Sequence, residues 1–320
     1  MDWNAVKQEL RGPAALVMAP FRADLSLDRE ALARNIRFMV DGGLRTGRGF
    51  LIVPCGTGEY VTLNHDEYRQ MVEVAVDVVD GELPVVAGIA SCDIREAITL
   101  AELACRAGAR CVMCPPPYYY RLSEDAFVEW YRLLAEAVDV GLMIYDQSWR
   151  SELNATISLP AMERLVEVPN VVALKYGSPN LFMDMIDALT LYAERFAFID
   201  NSLGYTATVS HVHGGAGFIS GPATWWPAFE LRFWELLEAG AYGEADRWHA
   251  RIAPYMQYHR DEEFGGGSHY FGAALIKACL EYVGLYGGPV RPPFRALTAA
   301  QRDELYAVLD QIGVRSAVAA

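Results

Sequence analysis

Eight short, near-continuous apolar runs constrain this chain more than any other feature. They cover residues 14–19, 50–53, 84–87, 111–114, 142–145, 171–175, 196–199 and 217–219. Runs that are apolar at every position, rather than at alternate ones, mark strands covered on both faces, as in parallel sheets. Residues 28–40, 65–79, 93–107, 123–138, 161–166 and 179–193 lie between them and repeat their apolar side chains at the helical period. Strand–helix alternation predicts a parallel α/β fold, and the count of eight predicts a closed TIM (β/α)8 barrel rather than an open sheet. After about Trp225 the strands stop. Residues 230–239, 243–258, 273–283 and 299–312 read as helices, with a Gly/Pro-rich connector over 284–293. The expected organisation is therefore a barrel over residues 1–228 and a C-terminal helical extension over 229–320 packed on it.

Composition narrows the partners. The 320 residues are 52% hydrophobic, enough for a sizeable core, and the net charge is -14. An acidic surface repels phosphate backbones and anionic membranes, so neither nucleic acid nor membrane is an expected partner. An anionic small substrate then needs a local cationic or amide-lined pocket. The N-terminal residues lack the apolar core of a signal peptide, and no run is long enough to span a bilayer. The six cysteines are sparse and mostly embedded in apolar runs. They read as reduced core residues, and the expected location is cytoplasmic.

Of the 27 basic residues only Lys7, Lys175 and Lys277 are lysine. Lys175 stands out because it ends an apolar strand, Val171-Val172-Ala173-Leu174. In a β/α barrel the active site lies at the C-terminal ends of the strands, which places this amine at the rim of a dry core. Desolvation disfavours an ammonium, and a neutral amine attacks carbonyls to form a Schiff base. A strand-end lysine can also reach solvent or pair with an acid such as Asp146 or Asp200. Tyr145 ends the preceding strand, and a phenol beside an imine can shuttle protons. It can equally be a core tyrosine with a satisfied hydroxyl.

Gly56-Thr57-Gly58 follows a strand and precedes a helix. Its backbone N–H groups and its hydroxyl suit a carboxylate, although an ordinary strand–helix turn has the same look. A dinucleotide fingerprint would need glycine where Val61 stands. Ser220, at the end of the eighth strand, is a further candidate for substrate binding. Cys111 and Cys114 form a CxxC within a strand, where positions three apart face opposite ways, so a metal or redox role is not expected. His211 and His213 have no acidic or cysteine neighbour in sequence. No metal site is expected.

Together these strand ends resemble the dihydrodipicolinate synthase / N-acetylneuraminate lyase superfamily of Schiff-base enzymes. The resemblance spans roughly residues 12 to 312. Gly56-Thr57-Gly58-Glu59, Pro116-Pro117-Tyr118-Tyr119, Tyr145 and Lys175 carry it, with the tail Gly288-Pro289-Val290-Arg291-Pro292-Pro293 and its spacing to Lys277. The resemblance implies that Lys175 forms an imine with C2 of pyruvate or another 2-oxo acid and that Tyr145 moves protons. It implies that Thr57 binds the carboxylate, that Tyr119 reaches a site across a dimer interface, and that Arg150 meets the carboxylate of an incoming aldehyde. It further implies a homotetramer built as a dimer of dimers. The lysine supplies the covalent chemistry, so no cofactor is expected.

Gly56 stands where synthases and lyases carry the first of two threonines. Ala19-Pro20-Phe21 replaces the usual Thr-Pro-Phe, and Asp146 and Tyr176-Gly177 stand where the 5-dehydro-4-deoxyglucarate dehydratase branch carries Asn after its tyrosine and Asp-Gly after its lysine. The single threonine and the tail look most like the 5-dehydro-4-deoxyglucarate dehydratase branch. The expected function is thus a Schiff-base lyase acting on pyruvate or a 2-oxo-3-deoxy sugar acid. Its alternatives are a 4-hydroxy-tetrahydrodipicolinate synthase-like condensation of pyruvate with an aldehyde and a non-catalytic 2-oxo-acid-binding homologue.

Overall fold

The computed structural model describes residues 1–146, 157–177, 182–260 and 272–314. Each apolar run forms a strand: Gly12–Leu16 (β1), Phe50–Ile52 (β2), Val85–Gly88 (β3), Cys111–Cys114 (β4), Gly141–Tyr145 (β5), Val171–Tyr176 (β6), Ala197–Asp200 (β7) and Gly217–Ser220 (β8). Every strand pairs in parallel with the next, and β8 pairs with β1, which closes the barrel. Alternation sorts the side chains into two layers. Leu16, Phe50, Ile52, Val86, Met113, Met143 and Ile199 belong to the interior cluster. Leu51, Val85, Val112, Ile144, Leu174 and Phe198 pack outward under the helices.

The helices that follow the strands in turn are Arg29–Asp41 (α2), His65–Val79 (α3), Ile94–Arg106 (α4), Glu124–Ala137 (α5), Leu159–Leu165 (α6), Phe182–Tyr192 (α7), Ala207–Val212 (α8) and Pro227–Glu238 (α9). Local chemistry starts several of them. Asn64 and Glu67 form a reciprocal capping box on α3, and Asp28, Asp93, Ser123 and Ser158 accept from first-turn N–H groups of α2, α4, α5 and α6. A preceding helix, Trp3–Glu9 (α1), is capped by Asp2 and contacts β5 and β6. Only Val6 within it is buried, which explains why periodicity does not reveal it.

The outer ring runs past the expected boundary at 228/229. Helix α9 straddles that point and packs on β1 and on the end of α2, where Pro227 lies against Gly42. It is the helix paired with β8, so the extension begins after Glu238. It consists of Tyr242–His249 (α10), Ala253–Arg260 (α11), Gly272–Tyr282 (α12) and Ala299–Gln311 (α13). The helix expected over 243–258 is broken into α10 and α11 by a tighter turn over Ala250–Ile252. Pro254 sits in the first turn of α11, where its missing N–H costs nothing. Residues 272–280 of α12 are all buried, and its side chains share one cluster with the barrel interior. Among the described residues no helix is long and apolar enough to cross a membrane.

Candidate active site

Lys175 and Tyr145 occupy matching positions on β6 and β5 at the C-terminal mouth. Both point inward, and their exposures are 6% and 7%. The Lys175 Nζ lies 3.6 Å from the centroid of the Tyr145 ring, on its face. A bulge sets this pairing. Leu142 pairs with Val171 but Met143 pairs with Ala173, so Val172 is an extra residue on β6. Val172 and Ala173 consequently both join the interior cluster, and the alternation above them brings Lys175 into the barrel.

The acids that sequence reasoning offered as partners of Lys175 are turned elsewhere. Asp200 is buried on the outward face of β7, where its carboxylate accepts from the Ser202 and Thr206 hydroxyls at 2.6 and 2.8 Å. Burial pushes the Asp200 carboxyl above its ordinary value, and these hydrogen bonds oppose the rise. Asp146 donates its N–H to the Lys175 carbonyl at 2.9 Å, and its carboxylate acts on the outer-layer phenols of Tyr131 and Tyr176. Among the described residues Lys175 enters no ion pair.

The loop after β2 faces the amine. Cys55 is buried at its start and lies close enough to feel the charge of Lys175. Burial pushes the thiol up to about 11, so it acts as a packed, protonated group. The Gly58 N–H donates to the Cys55 Sγ at 3.2 Å. Gly58 has another role: a Cβ there would stand 2.2 Å from the Val17 carbonyl oxygen, so only glycine lets the loop close on the end of β1. Gly56 is exposed and its Cβ direction is open, while Thr57 between them is half-buried.

The remaining candidates are scattered. Ser220 pairs with Ala15 on the outward face of β8; Ile219 takes the inward place. The Ser220 Oγ accepts from the Ala223 N–H at 2.9 Å and touches the buried Glu230 of α9. The substrate-binding assignment to Ser220 fails on strand alternation. Tyr119 is 69% exposed on the loop after β4 and meets the Tyr120 ring edge-on, with 5.0 Å between centroids. Arg150 lies outside the described residues. Cys111 faces the barrel interior and Cys114 the helical layer. His211 has a partner that sequence proximity could not show, Glu238 at 3.0 Å.

Residues 9–312 match the model of the Dihydrodipicolinate synthetase family. The chain belongs to this family. It is thereby a lyase of the lysine Schiff-base type. A 4-hydroxy-tetrahydrodipicolinate synthase of Methanoculleus marisnigri is 31% identical over 296 residues, covering 92% of this chain and 96% of that relative. An uncharacterized DapA-like lyase of Halobacterium salinarum is 32% identical over 306 residues, 95% of each chain. Among solved structures, the dihydrodipicolinate synthase of Acinetobacter baumannii complexed with pyruvate superposes with a TM-score of 0.84 at 23% identity, over 95% of this chain and 99% of that one. The Methanoculleus relative carries the synthase name and the Halobacterium relative only that of a lyase, and neither name singles out the dehydratase branch to which the loop and tail pointed.

Within this dihydrodipicolinate synthetase-family site, sequence reasoning missed two contributors. Cys55, expected only as a core residue, accepts from the Gly58 N–H within the glycine loop. Glu59 was read only as part of a motif, although it is fully buried and ion-paired to Lys277. The scarcity of lysine was the available signal for Lys277, since two of the three lysines prove to be buried.

Proposed function

We propose that this chain joins pyruvate to an aldehyde through an imine on Lys175. The observation that carries the reading is the Lys175 amine resting on the Tyr145 ring at the mouth of a closed barrel, 3.6 Å from the centroid. The synthase-named relatives at about 30% identity over more than nine-tenths of the chain support pyruvate condensation over sugar-acid dehydration.

In this reading the Lys175 amine attacks C2 of pyruvate to give a carbinolamine. Tyr145 delivers the proton with which the hydroxyl leaves as water, and an iminium remains. The iminium withdraws electrons, so loss of a proton from C3 gives an enamine. That carbon attacks the aldehyde carbonyl, a carbon–carbon bond forms, and the new alkoxide takes up a proton. Water then attacks C2 and releases the product and the free amine. The pyruvate carboxylate sits at the loop of Gly56, Thr57 and Gly58, with the Thr57 hydroxyl as a donor. Arg150 receives a carboxylate on the aldehyde. Tyr119 acts from a second copy, in a dimer that pairs again into a tetramer, which accords with its exposure here.

Incubation with pyruvate and borohydride, followed by peptide mass spectrometry, tests the reading. A reduced pyruvyl adduct on Lys175 is expected, with turnover on one member of an aldehyde panel. An adduct elsewhere, or none, would reject it. An adduct with no turnover would instead mark a 2-oxo-acid-binding homologue.

A further inference from the structure

Two of the three lysines are buried, and the chemistry above uses one. Lys277 lies on α12 with 2% exposure, and its Nζ is 2.5 Å from Oε1 of Glu59, which is fully buried. The same Nζ donates to the Pro289 carbonyl at 2.7 Å and lies 4.6 Å from the centroid of the Phe21 ring. The other carboxylate oxygen of Glu59 accepts from the Arg291 backbone N–H at 2.7 Å. Glu59 therefore joins the loop after β2 to a C-terminal helix and to the tail that follows it.

The contact bears on the loop directly. Glu59 closes the Gly56–Glu59 turn with φ +67°, a left-handed conformation that a side chain adopts only when its surroundings hold it there. Gly58 pins the other side of the turn against the Val17 carbonyl. Behind Glu59, the Arg291 guanidinium donates to the carbonyls of Leu25 and Thr62 and pairs with Glu67. A buried ion pair adds little stability over an apolar pair of the same shape, because desolvation offsets the attraction. What it does provide is direction: each charge must find its one partner.

We propose that the Lys277–Glu59 pair positions the Gly56–Gly58 loop, so that the grip on the substrate carboxylate depends on the C-terminal helices. The proposal rests on the reading of that loop as the carboxylate cradle of a 2-oxo acid. Neither residue touches substrate. Both act through the backbone of the turn, and their contacts run to Pro289, Phe21 and Arg291. The extension is then part of the binding machinery, and a shift of α12 alters affinity for the 2-oxo acid before it alters imine chemistry.

The test is a pyruvate titration of borohydride trapping on the full-length protein. It reads the half-saturating pyruvate concentration and the plateau of adduct on Lys175. Lys277→Met should raise half-saturation about 10–100-fold, the scale seen when a group that orients a metal's ligands is lost, with the plateau kept. The double variant Glu59→Gln/Lys277→Met removes both charges of the pair together and keeps the protein folded should the single variant not fold. It should recover thermal stability and still show the raised half-saturation. Arg110→Leu, which removes the paired hydrogen bonds to Glu9 outside the extension, should lower stability without moving half-saturation. A double variant with wild-type half-saturation would show the pair to be merely structural and overturn the proposal. Loss of the plateau in folded protein would overturn it too, since the pair would then act on Lys175. Absence of any adduct in the wild type is a different failure, of the Schiff-base assignment itself.

Discussion

Tyr145 and Lys175 are lateral neighbours on adjacent strands, and the lysine nitrogen lies on the face of the phenol ring rather than beside a carboxylate. The ring face offers the nitrogen a weak cation–π contact and no hydrogen-bond acceptor in the ring plane. Ring and hydroxyl can be separated. Tyr145→Phe keeps the face under Nζ and removes the proton carrier. It should lower kcat/KM by about 10²–10⁴-fold, the range for a lost general acid–base group, with an unchanged thermal midpoint. Lys175→Arg should fold and trap no pyruvate. A Tyr145→Phe enzyme with full turnover would remove the phenol from the mechanism.

Glycines 56 and 58 make a contrasting pair. A methyl at Gly58 meets the Val17 carbonyl oxygen, whereas one at Gly56 meets nothing. Gly58→Ala must displace the loop, and an overpacked site of this kind loses about 1–3 kcal/mol. Its half-saturating pyruvate concentration should rise, and that of Gly56→Ala should stay within about twofold. Equal effects of the two substitutions on a pyruvate titration would contradict the geometry.

Glu230 supplies a pH dependence of stability. Burial raises its carboxyl to about 8 from an ordinary 4.5, against a hydrogen bond from Ser220 that lowers it. Between those values the folded protein holds a proton that the unfolded chain has released. Stability contributed by this group therefore falls as pH rises from 4.5 to 8 and is level above. The steepest slope is about 1.4 kcal/mol per pH unit. Glu230→Gln should remove that slope, so that its thermal midpoint exceeds the wild-type value at pH 8 more than at pH 5. Parallel melting curves for the two proteins across this window would falsify the assignment.

Arg195 anchors the start of the lysine strand. Its guanidinium donates to the carbonyls of Val166, Val168 and Val171 at 3.0–3.1 Å. Arg195→Leu strips three half-buried acceptors of a charged donor and should cost about 1.5–3 kcal/mol by denaturant titration. Trapping on Lys175 should persist in the variant below its unfolding transition. A loss under 0.5 kcal/mol would mean that water replaces the guanidinium, as at ordinary surface sites.

Much of this was legible in the residues. The eight strands were readable because strands covered on both faces must be apolar at every position, and the helices between them because one face must be. Lys175 and Tyr145 were readable for a related reason: a polar group that ends such a strand has only the barrel mouth to occupy. The short α1 and the break before Pro254 were not, because each depends on a few contacts rather than on a repeating pattern.

The sequence by itself determined the barrel, its order of strands, and which strand ends could carry chemistry, since these follow from local periodicity and from where polar groups interrupt it. Tertiary structure decided the rest. Val172 bulges and so turns Lys175 inward, while alternation on β8 turns Ser220 outward to Glu230. Lys277 meets Glu59 across most of the chain's length. A facing direction depends on register, and a buried ion pair depends on two distant segments reaching one place. Neither is written in the spacing of residues along a single segment.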